Sequence, residues 1–235
     1  MGIPARADKL LIVNADDFGL TPGINDGIRR AHLDGIVTSA SLMVDRPGSA
    51  DAARSLTGLP RLGVGIHVAL TEESTAPVMD FEDASGVQRE IERQVERFVA
   101  LTKRTPSHVD SHHHVHRDPR LAPLFQEAAA ALDVPLRDHS AAAHCGTFYG
   151  VWDDGLSHPE WIAYENLARL LAEEVEGPVT ELGCHPGFPE IDFVSDYASE
   201  RALEVETLCD ARLPDLLREL GFRLVDFRAL ERSPA

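Results

Sequence analysis

Between residues 108 and 116 the sequence reads His-Val-Asp-Ser-His-His-His-Val-His, so five of the eleven histidines and one aspartate fall within nine positions. Neutral imidazole is the commonest protein ligand for zinc-like ions, and carboxylate extends the range to harder cations. Side chains of an extended strand alternate between faces. Read that way, His108, Asp110, His112, His114 and His116 share one face. Such a face makes poor core and suits a divalent metal. The competing reading is a surface His-rich loop that takes up metal by accident.

Three other stretches carry matching groups. Asp16 and Asp17 follow the apolar run Leu10–Val13. Two adjacent carboxylates at the end of a buried strand are costly unless paired or metal-bound. A helix cap would account for one of them, not both. His67 ends the run Leu62–Leu70, and His185 follows Val179–Cys184 and precedes the breakers Pro186 and Gly187. A lone His in an apolar strand is more often a hydrogen-bonded core residue than a ligand. Here it ends a strand parallel to others that carry site candidates.

The elements that must position these groups are legible as an alternation. Strands are expected at 9–15, 36–44, 62–70, 108–116, 134–137, 179–184 and 222–227. Helices are expected at 24–33, 48–56, 87–101, 119–132, 159–176, 199–208 and 213–220. Thr21-Pro22 reads as an N-cap followed by a first-turn proline, with Ile24, Ile28 and Ala31 on the inner face. The helix from Val87 presents Ile91, Val95, Phe98 and Val99 at helical spacing. Residues 71–86 and 140–157 read as loops, the second with Phe148, Tyr149 and Trp152 placed either to stack on sugar rings or to form a small satellite core. Alternation over this length implies a parallel sheet wrapped by helices. About seven strands favour a distorted or incomplete (β/α) barrel, since a complete eight-stranded one needs about 250 residues. Residues 1–235 are expected to form a single domain with its core at about 9–228. Strand ends of a parallel barrel converge on one rim, which gathers Asp16, Asp17, His67, the His-rich stretch and His185.

Composition narrows the partners. The 235-residue chain carries 22 basic and 39 acidic residues, a net charge of −17. That balance argues against nucleic acid and anionic membranes, which need Lys/Arg clusters. No apolar run reaches the roughly 18 residues of a membrane span. Leu10–Val13 is too short for a signal peptide core. Three cysteines, Cys145, Cys184 and Cys209, without CxxC spacing suggest a reducing cytoplasm. The sequence is compatible with a homodimer and does not fix the oligomeric state. No G-x-G-x-x-G, Walker A or G-x-S-x-G motif appears, which disfavours dinucleotide, nucleotide triphosphate and serine-hydrolase chemistry.

One Asp and two His around a cation leave a position for water, which is a catalytic arrangement rather than a closed structural one. This is the apparatus of metal-assisted hydrolysis of an amide or ester. A phosphoesterase and a non-catalytic metal- or sugar-binding protein are the alternatives. His and Asp together admit magnesium or zinc first, and nickel, cobalt and manganese as well.

The blocks Asn14-Ala15-Asp16-Asp17-Phe18-Gly19, Gly35-Ile36-Val37-Thr38-Ser39, Gly65-Ile66-His67, Asp110–His116 and Cys184-His185-Pro186 resemble, in order, those of the YdjC-like family, the ChbG/HpnK group of carbohydrate deacetylases. The resemblance spans Leu10 to about Phe227. It implies a distorted (β/α) barrel and divalent-metal-dependent removal of acetyl groups from N-acetylated sugars, chitooligosaccharides or a sugar-bearing lipid precursor. It also implies Asp17, His67 and His112 as metal ligands, Asp16 as the base that activates water, and His185 as the acid, a role for which His114 and His116 compete. Members carry a longer segment between His67 and His112, so the short stretch 71–86 bears on substrate identity.

Overall fold

The computed structural model describes residues 9–230 apart from 153, 154, 176, 192 and 194. Strands and helices alternate as β1 (Lys9–Phe18), α1 (Pro22–Leu33), β2 (Ser39–Leu42), α2 (Ser49–Ser55), β3 (Gly63–Val68), α3 (Ala84–Thr102) and β4 (Val109–Ser111). They continue as α4 (Ala122–Leu132), β5 (Ala143–Cys145), α5 (Tyr164–Arg169), β6 (Val179–Cys184), α6 (Ala198–Leu208), α7 (Leu213–Leu220) and β7 (Phe222–Leu224). Every strand pairing is parallel, in the order β4-β3-β2-β1-β6-β5, with β7 beside the first residues of β1. The seven strands curl into an incomplete, distorted (β/α) barrel, open between β4 and β5.

β1 is its spine. Leu11, Ile12, Val13, Ala15 and Phe18 are all fully buried, with no alternation, because both faces are covered. α1 starts where the sequence predicts: the Ile24 amide donates to Thr21 Oγ1 at 3.2 Å, and Pro22 occupies the first turn. Its buried face is Ile24, Ile28 and Ala31.

Several expectations are corrected. The His-rich stretch is a strand only over Val109–Ser111, and His112–Arg117 is a tight 3-10 turn with His113 and His114 in the left-handed region (φ 52° and 53°). The five side chains therefore do not share a face. Residues 134–137 make only a bridge from Leu136 to Val109 rather than a strand. A short strand, β5, appears inside the expected loop 140–157. The expected helix 159–176 breaks into a 3-10 turn, α5 and a π turn over Leu170–Glu174. On α3, Val99 is exposed at 42% and Gln94 takes the inward position instead, donating to the Ala69 carbonyl at 2.9 Å. Among the described residues no helix is long and apolar enough to cross a membrane.

Candidate active site

Parallel pairing puts the C-terminal ends of β1, β3, β4 and β6 at one rim, with His67 in register with Asp110 and Ala15 with Cys184. In a regular strand, neighbouring Asp16 and Asp17 would point to opposite faces. The β1–β2 register shifts between Ala15 and Phe18, and Asp17 takes φ 66°. This bulge re-aims the chain so that both carboxylates reach the rim. Both are buried, at 3% and 2% exposure.

Asp17 Oδ1 lies 3.4 Å from His67 Nε2 and 3.1 Å from His112 Nδ1. Asp17, His67 and His112 each offer a ligand atom, all within 4.8 Å of one another. Asp17 Oδ1 is nonetheless buried without a hydrogen bond. Each imidazole has a carboxylate at its other nitrogen: His67 Nδ1 is hydrogen-bonded to Asp110 Oδ1 at 2.7 Å, and His112 Nε2 lies 3.3 Å from Glu73 Oε1. Carboxylates so placed turn the remaining imidazole nitrogens toward Asp17, the arrangement that supports histidine ligands of metals once those nitrogens are deprotonated. The residues therefore fit a divalent cation. Burial disfavours the charged imidazole of His67, but Asp110 and Asp16 outweigh it and push its pKa up to about 10. His67 thus carries the positive charge that a metal ion would replace.

A second group of three, Asp16, His67 and Asp110, also has its ligand atoms within 4.8 Å of one another. A guanidinium serves it instead. Arg137 Nη1 and Nη2 donate to the two oxygens of Asp16, each at 2.8 Å, and Nη2 lies 2.9 Å from Asp110 Oδ2. Arg137 Nε donates to Glu181 Oε1 at 2.8 Å. All four side chains are buried; one guanidinium faces three carboxylates, with His67 beside Asp110 and His144 beside Glu181 as further partners. Burial raises the Asp16 carboxyl, but Arg137, by charge and hydrogen bonds, outweighs it and holds Asp16 well below the usual range. Asp17 is held low in the same way, burial being opposed chiefly by Arg201, whose Nη2 donates to Asp17 Oδ2 at 2.6 Å.

His185 faces Asp16 from the end of β6, with Nε2 4.0 Å from Asp16 Oδ2. Burial pulls its pKa down to about 4, so the imidazole is neutral near pH 7. Its amide donates to Glu204 Oε2 at 2.5 Å, and its ring meets the edges of Tyr149 and Tyr197 at 5.4 and 5.6 Å. Of its competitors, His116 is fully buried and bonded to Ser111 and Asp138, away from the cleft. His114 lines the cleft with Nδ1 unpartnered, and burial lowers its pKa to about 3. His108 is core: it stacks on Phe227 at 3.8 Å and lies where any side chain on Gly65 would collide with its ring.

Asp16, Asp17, His67, His112, His114 and His185 line one cleft of about 820 Å³, together with Tyr149, Trp152, Arg117 and His144. Phe148 belongs to the main core at 1% exposure, whereas Tyr149 and Trp152 remain 36% and 46% exposed at the cleft. Sequence reasoning missed Asp110 as a partner of His67, together with Glu73, Glu181, Arg201 and Glu204. Asp110 alone had a local signal, two residues before His112. The others are ordinary charged residues on helices, loops or strands.

Comparisons with known proteins identify the family. A carbohydrate deacetylase of Vibrio cholerae serotype O1 is 36% identical, over 95% of this chain and 97% of the relative. A chitooligosaccharide deacetylase of Serratia marcescens is 34% identical, over 95% of this chain and 100% of the relative. A crystal structure from Enterococcus faecalis V583, of a protein named for cellobiose-phosphate cleavage, superposes with TM-score 0.78 and 27% identity over 94% of this chain and 98% of that one. The family model for YdjC-like proteins matches residues 10–219, and the chain belongs to that family.

Proposed function

We propose that this chain is a metal-dependent carbohydrate N-deacetylase that hydrolyses the acetamide of N-acetylated sugars, of chitooligosaccharide or sugar-lipid type. The observation that carries the reading is the convergence of Asp17, His67 and His112 on one point beside Asp16, at the floor of a cleft with aromatic walls. The relatives' names and the family support it.

Asp17, His67 and His112 would hold the cation. When bound there, it supplies a Lewis acid that polarises the acetamide carbonyl and acidifies water. Two imidazoles and a carboxylate favour zinc on affinity, with magnesium the alternative. The chain's own residues do the rest. Asp16, kept ionised by Arg137, accepts a proton from the attacking water. Neutral His185, 4.0 Å away, takes it and delivers it to the amine as the C–N bond breaks. Water and amide become acetate and free amino sugar. Tyr149 and Trp152 offer ring faces and edges to the sugar. One chain contains the whole set, whether it works as a monomer or a homodimer. The three cysteines are free, in keeping with a cytoplasmic enzyme.

Acetate release from N-acetylglucosamine oligomers tests the reading. A chelator abolishes release, and Asp16→Asn lowers kcat by ~10²–10⁴-fold. Chelator-insensitive release would refute the metal role, and full activity of Asp16→Asn the base role. Phosphoester hydrolysis is the second reading, carried by Arg117 in the cleft wall. Asp138 already engages Arg117 at 2.7 Å, and Arg137 and Arg201 are bound to Asp16 and Asp17. A chromogenic phosphate ester assayed beside the acetamide sugar separates the two. Metal binding with no turnover on either would leave a metal-holding sugar-binding protein.

A further inference from the structure

We infer that Arg201 is a built-in counter-cation of the metal site. It occupies one oxygen of Asp17, leaves the other to the cation, and weakens the grip on that cation. The inference rests on the metal-site reading of Asp17, His67 and His112. Arg201 comes from α6, 184 residues beyond Asp17, and its Nη2 donates to Asp17 Oδ2 at 2.6 Å. The two side chains are only 4% and 3% exposed. The rest of the guanidinium has little else to hold. Nη1 makes a long bond of 3.4 Å to the His185 carbonyl, Nε is buried without an acceptor, and the group lies 5.9 Å from the Tyr197 ring centre. Asp17 is thus the guanidinium's principal hydrogen-bonded partner.

Two consequences follow from this geometry. A carboxylate pinned through Oδ2 presents Oδ1 alone to His67 and His112, so the cation meets one oxygen rather than two. A cation at Oδ1 also arrives beside a fixed positive charge in a water-poor setting, where repulsion is strong. Arg201 and the metal therefore compete to neutralise one carboxylate. Removing Arg201 leaves a buried anion without its partner, and the incoming cation then gains what the arginine used to supply. A moderated affinity suits a centre that must hold its cation while exchanging water and acetate.

The test is calorimetric titration of the chelator-stripped chain with Co²⁺ at fixed pH, with visible absorption of the Co²⁺ form and melting temperature with and without the ion. Arg201→Met is expected to bind Co²⁺ ~10-fold or more tightly than wild type. Its Tm without metal should be lower, and its rise on adding Co²⁺ larger. Its absorption should change as Asp17 Oδ2 becomes free to bind. Arg201→Lys keeps the charge and should stay within ~3-fold of wild type. Should the Met variant fail to fold, Arg201→Gln tests the same point, being neutral yet able to donate to Asp17, and tighter binding is again expected. Wild-type or weaker affinity in the neutral variants overturns the inference, as does equal tightening in Arg201→Lys. A wild-type chain that binds no Co²⁺ overturns both the inference and the metal-site reading. Normal wild-type binding with unaltered variants overturns the inference alone.

Discussion

Asp16 and Asp17 are identical and adjacent, yet different arginines assign them different work. Arg137 takes both oxygens of Asp16, whereas Arg201 takes one oxygen of Asp17 and leaves the other facing two imidazoles. Glu204 shows the opposite balance. Its carboxyl is fully enclosed, and burial outweighs the bonds from Tyr197 and the His185 amide, lifting its pKa from 4.5 to about 8. The native state therefore holds a proton that the unfolded chain releases above about 4.5. The stability from this group is fully present below that pH and is lost as pH rises through about 8. Melting temperature should accordingly decline across that interval, and Glu204→Gln should flatten the decline. Calorimetry across the interval checks this; parallel declines in the two proteins would contradict it.

At the scale of elements, short irregular segments do the positioning. β4 stops at Ser111 because the chain turns through left-handed His113 and His114, which sends His112 to the rim and His116 into the interior. The loop carrying His185 lies against α1 so closely that a side chain on Gly27 would stand 2.4 Å from the Gly187 Cα, and the Phe188 amide donates to the Gly23 carbonyl. The segment bearing Trp152 folds back through a Val151–Ser157 bridge, and the indole stacks on His158 at 3.9 Å. Trp161 meets the same indole at 5.4 Å, and Trp152 still lines the cleft. Trp152→Ala should raise KM for a chitooligosaccharide roughly tenfold with kcat within about twofold, the sign of lost uniform binding. An equal loss in kcat would place the indole against the reacting group instead. Glu73 belongs to the short stretch 71–86, so this loop also steadies His112. Glu73→Gln should lower divalent-ion affinity by ~10-fold or more, read by calorimetry.

For the whole molecule, the open curl is held inside by charge as well as by apolar packing. The Leu136–Val109 bridge sets Arg137 beside β4, and the guanidinium reaches Asp16 on β1, Asp110 on β4 and Glu181 on β6. It therefore joins the edge strand β4 to the spine across the interior. Arg137→Met leaves three carboxylates facing one another in a buried space. It should cost about 3–5 kcal/mol, measured by denaturant unfolding. A loss below about 1 kcal/mol would mean that the carboxylates take up protons at little cost and that Arg137 does not hold the curl. Ion binding adds stability on top of the folded chain, about 2.7 kcal/mol at a free concentration one hundred times Kd, so a chelator should lower Tm.

The sequence by itself determined the alternation of strands and helices, the buried spine, and the residues that meet at the rim. Apolar periodicity and cap residues report the local backbone, and imidazole and carboxylate at strand ends report their own chemistry. Asp16, Asp17, His67 and His185 were readable on that basis, while the choice of His112 from the His-rich stretch came from the family resemblance. Tertiary structure alone decided where the His-rich strand stops, that β5 forms inside a polar segment, and that His108 and His116 turn inward. It alone brought Arg137 to Asp16 across 121 positions and Arg201 to Asp17 across 184. A charged residue on a helix or loop carries no local mark of the partner it will meet. Which charge neutralises which is settled only when burial removes water and leaves each group to the neighbours the fold provides.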